Sequence, residues 1–271
     1  MKKDDGLQGF QFKHSLGQNF ITDDDILSSL VTLSGVGSED SVLEIGPGAG
    51  GMTKELAARC KQVLALEIDE TLLPILRVAL EKYPNVTLVQ GDVMKADLPR
   101  LTESLGAFHL VANLPYYITT PLFTLLLNSD LPILSMSVML QKETAEKLCL
   151  EAGQKDCCPL GLKLQWFYEM EIAAVLPAKL FTPPPKVDSA FLLLKRRNSP
   201  PFAVKDEKIL FRLIACAFAM RRKTMVNNMV NTFSLSRAEA AEMLQKCGMA
   251  ETIRGEQLTM EQFALLADAL A

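Results

Sequence analysis

The sequence predicts an α/β protein with a doubly wound, mostly parallel, Rossmann-like sheet, followed by a small all-helical domain. Three observations support this prediction. Short apolar runs alternate with helical patterns over roughly the first 150 residues, a glycine-rich turn follows the first run, and the pattern from about residue 206 onward is wholly helical. In a sheet of this kind, ligands bind beyond the carboxyl ends of the strands.

Seven short apolar runs predict strands, and they cover residues 41–45, 62–68, 86–90, 108–112, 134–140, 171–176 and 190–194. Helical patterns flank the first five strands; one begins after Asp23, and the others occupy residues 52–60, 72–82 and 142–150. Because helices join these strands, we expect the strands to pair in parallel through right-handed crossovers.

Three consecutive prolines at 183–185 predict a stiff loop between the last two strands. After these strands, four helical patterns occupy residues 206–220, 222–232, 236–247 and 259–270, with Ser236 and Thr259 as candidate caps. We therefore expect two domains, a sheet domain at 1–199 and a helical domain at 200–271.

The composition excludes several classes of protein. The 271 residues are 49% hydrophobic and 22% charged, which is typical of a globular chain. No apolar stretch approaches the roughly 20 residues that cross a bilayer, and the N-terminus lacks the pattern of an export signal. The six cysteines include no metal-type C-x-x-C pair, so free thiols and no metal site are expected. We expect a cytoplasmic monomer.

The charge distribution points to a nucleic-acid partner, although the net charge of −4 argues weakly against one. Between residues 195 and 223 there are nine basic and only two acidic side chains, and phosphate binding depends on the local field. The candidates for RNA phosphate contacts are Lys195, Arg196, Arg197, Arg221, Arg222 and Lys223. The alternative is a solvated charged face without a partner.

The tetrapeptide at residues 113–116 (NLPY) is the strongest chemical signal, because it follows the predicted strand 108–112. The side-chain oxygen of Asn113 and the main-chain carbonyl of Leu114, held by Pro115, can each accept one hydrogen from an exocyclic amine. The ring of Tyr116 can stack on a flat base. This arrangement predicts chemistry on the amine of a nucleobase.

Three further strand ends predict a nucleotide site. The turn after the first strand matches the dinucleotide-binding pattern G-x-G-x-x-G at Gly46, Gly48 and Gly51. A dinucleotide is therefore one possible ligand. Glu67, at the end of the second strand, suits ribose hydroxyls, and Asp92, after the third, suits an adenine amine. A single adenosine with an amino-acid tail fits this set better than a dinucleotide, and S-adenosylmethionine has that shape.

The chain resembles the ribosomal RNA adenine N6,N6-dimethyltransferase family, which methylates small-subunit RNA. The motifs that match are LGQNF at 16–20, EIGPGAG at 44–50, NLPY at 113–116, QKE at 141–143, FTPPPKVDS at 181–189 and RRKT at 221–224. The resemblance implies a class I methyltransferase fold and transfer of methyl groups from S-adenosylmethionine to adenine N6. It also implies that the substrate is small-subunit ribosomal RNA or a pre-30S particle in ribosome biogenesis.

The resemblance also implies roles for individual residues. Asn19, the main chain of Ile21, and Gly46 would hold the methionine part of the cofactor. Glu67 would take the ribose, Asp92 the adenine, and Asn113 would lie where cofactor and target meet. A flipped adenine would enter between Tyr116 and Phe181. Tyr117 stands where this family often has Asn.

Three alternatives remain at this point. The first is the same chemistry on large-subunit RNA or DNA, against which the proline-rich motif at 181–189 argues. The second is an RNA-binding assembly or transcription factor that keeps the methyltransferase fold as a scaffold. The third is a nicotinamide-dependent oxidoreductase.

Overall fold

The computed structural model describes Lys13 and residues 17–271. Residues 1–12 and 14–16 lie outside the described residues. They include the N-terminus, where an export signal would lie, and Leu16 of the LGQNF motif. The chain divides into two compact units. The first contains the described residues up to Ala145 together with Glu169–Arg196, and the second contains Glu146–Tyr168 together with Arg197–Ala271.

The first unit contains a seven-stranded sheet and a separate two-stranded pair. The seven strands are β2 (Ser41–Ile45), β3 (Gln62–Glu67), β4 (Val86–Gln90), β5 (Phe108–Asn113), β6 (Ile133–Gln141), β7 (Tyr168–Leu176) and β9 (Ser189–Arg196). The two short strands β1 (Phe20–Ile21) and β8 (Phe181–Thr182) pair with each other in antiparallel fashion.

The strand order is β4-β3-β2-β5-β6-β9-β7. The five strands from β2 to β6 pair in parallel, as predicted, and β9 is antiparallel to β6. From β2 the chain proceeds outward to β4 and then returns to the other side of β2 as β5. This reversal leaves a crevice beyond the carboxyl ends of β2 and β5, where ligands bind in open α/β sheets.

Eleven helices accompany the strands in the described residues: α1 (Asp24–Ser34), α2 (Gly51–Ala57), α3 (Leu73–Ala79), α4 (Leu98–Thr102), α5 (Thr119–Leu127), α6 (Lys142–Cys149), α7 (Pro159–Phe167), α8 (Glu207–Ala219), α9 (Met225–Phe233), α10 (Arg237–Lys246) and α11 (Met260–Leu270). The sequence did not predict α4, α5 or α7. Helix α5 is apolar on most sides, so it shows little of the periodicity that identifies a surface helix. Within the described residues, no helix is both long and apolar enough to cross a membrane.

The second unit has its own apolar core, and this core changes the predicted domain boundary. Leu162 and Trp166 of α7 are fully buried with Leu213 of α8 and Phe263 of α11. The Trp166 indole nitrogen also donates a 2.9 Å hydrogen bond to Glu207. Residues 146–168 therefore belong with the C-terminal helices. The sequence pattern had placed them in the domain at 1–199. Packing between helices that are far apart in the sequence leaves no signal in the local pattern.

Candidate active site

A cavity opens at the carboxyl ends of β2 to β5. Its walls include the glycine loop after β2, Glu67 at the end of β3, Asp92 after β4 and Asn113 at the end of β5. The empty volume is about 820 Å³, part of it open to solvent.

Eight of the predicted site residues line this cavity: Asn19, Gly46, Glu67, Asp92, Asn113, Leu114, Tyr116 and Phe181. The structure does not bring Ile21 to it. Neighbouring residues in a strand point to opposite faces, so Phe20 of β1 lines the cavity, whereas the Ile21 side chain is buried in the core. The prediction for Ile21 concerns its main chain, which the direction of the side chain does not test, so it stays a prediction.

Sequence reasoning missed an apolar wall formed by Ile68, Leu72 and Val93. Ile68 is 42% exposed immediately after β3, although it is a large apolar residue. The sequence did contain a signal for this wall, since an apolar residue stands at the end of a buried strand. In an α/β sheet that position faces the ligand crevice. Such a wall suits the flat, weakly polar ring of a nucleobase.

The glycine loop allows the main chain to line the cavity closely. Gly46 and Gly48 have φ values of +73° and +59°, a region that favours glycine. A Cβ on Gly48 would lie 2.7 Å from the ring of Phe20, so any larger residue would displace that ring. The Gly46 amide donates to the Leu66 carbonyl at 3.0 Å, which ties the loop to the end of β3.

Glu67 is a buried acid whose carboxylate is already oriented. One oxygen accepts from the Gly48 amide at 3.1 Å and the other from the Asp69 amide at 2.8 Å. Burial raises the pKa of Glu67, and these two amide hydrogen bonds oppose that shift. Each carboxylate oxygen can accept more than one hydrogen bond, so the group retains capacity for a pair of hydroxyls.

Asp92 shapes the turn after β4 and also lines the cavity. One of its side-chain oxygens accepts from the Met94 amide at 2.9 Å and shapes the turn that follows β4. The other lies 3.5 Å from the Lys95 ammonium. Because the residue also lines the cavity, its function as a turn cap does not exclude contact with a ligand.

The tetrapeptide is rigidly held at the end of β5. The Asn113 side-chain nitrogen donates to the main-chain oxygen of Asn19 at 2.9 Å. Because a main-chain oxygen can only accept, this contact fixes which end of the Asn113 amide is the oxygen. The Leu114 amide donates to the Met139 carbonyl at 3.1 Å, so its own carbonyl sits on an anchored peptide.

Three aromatic residues, one of them within the tetrapeptide, line the cavity at this end. The Tyr116 hydroxyl is 2.9 Å from the hydroxyl of Ser189, and burial raises the pKa of Tyr116. Phe181 lines the cavity but is only 3% exposed, so it also anchors the proline loop to the core. Tyr117 lines the cavity with 57% of its surface exposed. The cavity thus combines ring faces, amine acceptors and a buried acid.

The family model for ribosomal RNA adenine dimethylase matches residues 9–271. The chain belongs to the ribosomal RNA adenine dimethylase family. It is 43% identical over 269 residues to a ribosomal RNA small subunit methyltransferase A from Geobacillus sp. (strain WCH70), covering 97% of this chain and 92% of that one. The corresponding protein of Shouchella clausii is also 43% identical, over 97% of this chain and 90% of its own. The resemblance drawn from the motifs is confirmed.

Solved structures confirm the class I methyltransferase fold of this adenine dimethylase family member. The 23S rRNA methyltransferase ErmE superposes with a TM-score of 0.74 at 27% identity, covering 93% of this chain and 99% of its own. A dimethyladenosine transferase from Plasmodium falciparum gives a TM-score of 0.79 at 24% identity, covering 91% and 95% of the two chains. The latter comparison shows the shared fold only.

The structure shows how the predicted RNA-binding cations of this dimethylase are held. Lys195, Arg196, Arg221, Arg222 and Lys223 are exposed, and Arg197 is partly buried. Arg221 also pairs with Glu256 at 2.8 Å and Asp156 at 3.5 Å, and these acids raise its pKa. The Arg197 guanidinium donates to the Gln165 carbonyl at 3.1 Å. Arg197 and Arg221 therefore have structural partners within the second unit, which the sequence did not reveal.

Proposed function

We propose that this chain transfers methyl groups from S-adenosylmethionine to the N6 amine of adenines in small-subunit ribosomal RNA. The product is N6,N6-dimethyladenosine, formed in the cytoplasm during maturation of the subunit. The observation that carries this proposal is that Asn113, with its amide orientation fixed by Asn19, shares one cavity with Glu67 and the glycine loop. The similarity to relatives named small subunit methyltransferase A supports the choice of RNA.

The described residues fit this cofactor. Glycines at 46 and 48 leave room that a Cβ would fill, and Glu67 presents a buried carboxylate suited to ribose hydroxyls. Asp92 would accept from the adenine amine, and Gly46 and Asn19 would hold the methionine part. When bound, the cofactor supplies a methyl carbon made electrophilic by its sulfonium.

The tetrapeptide prepares the nucleophile. The Asn113 side-chain oxygen and the Leu114 carbonyl accept the two hydrogens of the adenine amine, which draws the nitrogen out of conjugation with the ring. Tyr116, oriented by Ser189, stacks on one face of the flipped base, and Phe181 contacts the other. These residues align the nitrogen for attack on the methyl carbon.

No strong general base is required in this mechanism. Once methylated, the cationic amine is very acidic, and it passes its proton to water. One hydrogen remains on the nitrogen after the first transfer. One of the two acceptors can therefore still orient the monomethylated amine for a second transfer after the cofactor has been exchanged.

Methylation of large-subunit RNA is a second candidate, because the 23S rRNA methyltransferase ErmE is similar over nearly the whole chain. We favour small-subunit RNA, since identity to the small-subunit relatives is 43% against 27% to ErmE. The exposed cations Lys195, Arg196, Arg222 and Lys223 would bind phosphates of the RNA. We further propose that the protein acts as a monomer.

Incubation with methyl-labelled S-adenosylmethionine and unmethylated ribosomal subunits tests this function. Small and large subunits are assayed separately, the modified adenines are mapped, and Asn113→Ala provides the inactive control. We expect dimethyladenosine in the small subunit only. Label in the large subunit would favour the second candidate, and cofactor binding without methyl transfer to either subunit would favour an assembly factor.

A further inference from the structure

Asp69 is a buried acid that the mechanism above does not use. It lies two residues beyond Glu67, and its side chain is 0% exposed. One oxygen accepts from the Lys13 ammonium at 2.6 Å, and the other accepts from the Gln18 side-chain amide at 2.7 Å. The Thr71 hydroxyl and amide also donate to it, at 2.6 Å and 3.0 Å.

The bonds to Lys13 and Gln18 form a closed cluster. The Lys13 main-chain amide donates to the Gln18 side-chain oxygen at 2.7 Å, so both ends of the Gln18 amide are fixed. Burial would raise the pKa of Asp69, but the bonds from Lys13, Thr71 and Gln18 outweigh it and lower the pKa to about 2. The acid is therefore ionised and paired with Lys13 at any physiological pH.

The segment held by this cluster forms part of the cofactor cavity. Gly17, Gln18, Asn19 and Phe20 all line it. At its other side the same segment contacts the tetrapeptide, since a Cβ on Gly17 would lie 3.1 Å from Pro115 and the Asn19 oxygen accepts from Asn113. The segment thus spans from the end of β3 to the catalytic amide.

We propose that Asp69 is a positioning residue that clasps the segment 17–20, through Lys13 and Gln18, against the cofactor cavity. The clasp retains the cofactor and holds the Asn19 oxygen where it orients the Asn113 amide. This inference rests on the proposed function of the cavity. The Asp69 carboxylate is fully buried, whereas the Lys13 side chain is 40% exposed. Removing Lys13 leaves a buried charge uncompensated, and removing the charge of Asp69 leaves Lys13 and Gln18 without their ionised acceptor, so either change should release the segment.

The experiment uses Asp69→Asn and Lys13→Met, with Lys13→Arg as the conservative variant and Lys61→Met as an exposed control in the same unit. The measurements are hydrogen–deuterium exchange of residues 17–20, the dissociation rate of S-adenosylhomocysteine, and steady-state kinetics that give kcat and the KM for RNA separately. Because a misplacement of about 1 Å at a catalytic group can cost about 100-fold, we expect kcat to fall by about 10- to 100-fold in Asp69→Asn and Lys13→Met. Exchange and dissociation should accelerate, and the RNA KM should stay unchanged.

Lys13→Arg should keep most of the wild-type kcat. The double variant Asp69→Asn/Lys13→Met should have a kcat no lower than that of Asp69→Asn alone, because both changes break the same interaction. Unchanged exchange at 17–20 in Asp69→Asn, or unchanged dissociation, would overturn the clasp. If the wild-type protein binds S-adenosylhomocysteine but methylates no RNA, the proposed function fails, while exchange and dissociation still decide on the clasp.

Discussion

The Asn113 side-chain nitrogen lies 2.9 Å from the main-chain oxygen of Asn19. This bond joins the last residue of β5 to the segment that enters β1, 94 positions earlier in the sequence. It leaves the amide oxygen of Asn113 as the group that the proposed mechanism assigns to a substrate amine. The Asn113 amide is therefore oriented by a part of the chain outside its own motif.

Replacement of Asn113 by Ala should remove this acceptor with little effect on cofactor binding. We expect kcat to fall by about 10²–10³-fold, the range observed when one oriented polar group is lost from an active site. Single-turnover rates and calorimetric titration with S-adenosylhomocysteine measure the two effects. A loss of cofactor affinity as large as the loss of rate would contradict the assignment.

The ring of Tyr116 should matter more than its hydroxyl. Tyr116→Ala should lower kcat/KM for RNA by about 5- to 150-fold, the equivalent of one lost base stack. Tyr116→Phe keeps the ring and loses only the bond to Ser189, so we expect a few-fold loss. Ser189→Ala should reproduce the Phe variant. Equal losses for Phe and Ala at position 116 would mean that the hydroxyl, not stacking, is essential.

Gly48→Ala should weaken cofactor binding, and Gly35→Ala is its control in the same unit. Both glycines have positive φ, and at Gly35, which is in the left-handed helical region, an alanine costs about 1–2 kcal/mol of backbone strain. Only at Gly48 would the new Cβ meet a ring, that of Phe20 at 2.7 Å, whereas nothing lies within 4 Å at Gly35. We expect thermal unfolding to shift in both variants and cofactor affinity to fall only in Gly48→Ala. Equal affinity in the two variants would show that the Phe20 contact is unimportant.

Glu44 should make the stability of the protein depend on pH. Burial in β2 raises the pKa of this carboxyl from 4.5 to about 8, with a further contribution from the charge of Glu67. Between these two values the folded state holds one more proton than the unfolded state. The stabilisation is therefore complete below about 4.5 and is lost as the pH rises to about 8.

Glu44→Gln cannot titrate and should lose this dependence. The free energy of unfolding of the variant, relative to wild type, should increase steadily across that pH window and become constant above it. Urea unfolding at a series of pH values measures the difference, and any constant offset from the new amide leaves the slope unaffected. A difference that stays flat across the window would show that Glu44 titrates normally.

The double variant Arg222→Ala/Lys223→Ala should reduce the salt dependence of RNA binding by about two units of log–log slope, since each phosphate contact contributes about one. Arg221→Ala should change the slope less, because its guanidinium is already paired with Glu256 and Asp156. RNA binding measured at several salt concentrations compares the two. A larger change in slope for Arg221→Ala would show that Arg221, despite its acids, binds phosphate.

Much of the fold could be predicted from local pattern. The strand at 41–45 is fully buried, which is why it appears as an uninterrupted run, and its parallel pairing follows from the helices around it. Helices α5 and α7 were missed because the first has little polar periodicity and the second begins at Pro159 inside a stretch without a clear repeat. The local pattern also could not show that residues 146–168 belong with the C-terminal helices. The burial of Trp166, which places them there, depends on helices far along the chain.

The sequence by itself determined the fold class, the family and most of the candidate residues, because glycine turns, strand ends and motifs depend on neighbours in the chain. Only the tertiary structure decided which of these side chains line the cavity, which are buried in the core and which are paired with other residues. It directed the Ile21 side chain into the core and Phe20 to the cavity, paired Arg221 with acids, and joined Asp69 to Lys13 and Gln18. These outcomes depend on contacts between residues distant in sequence, and such contacts form only when the chain is folded.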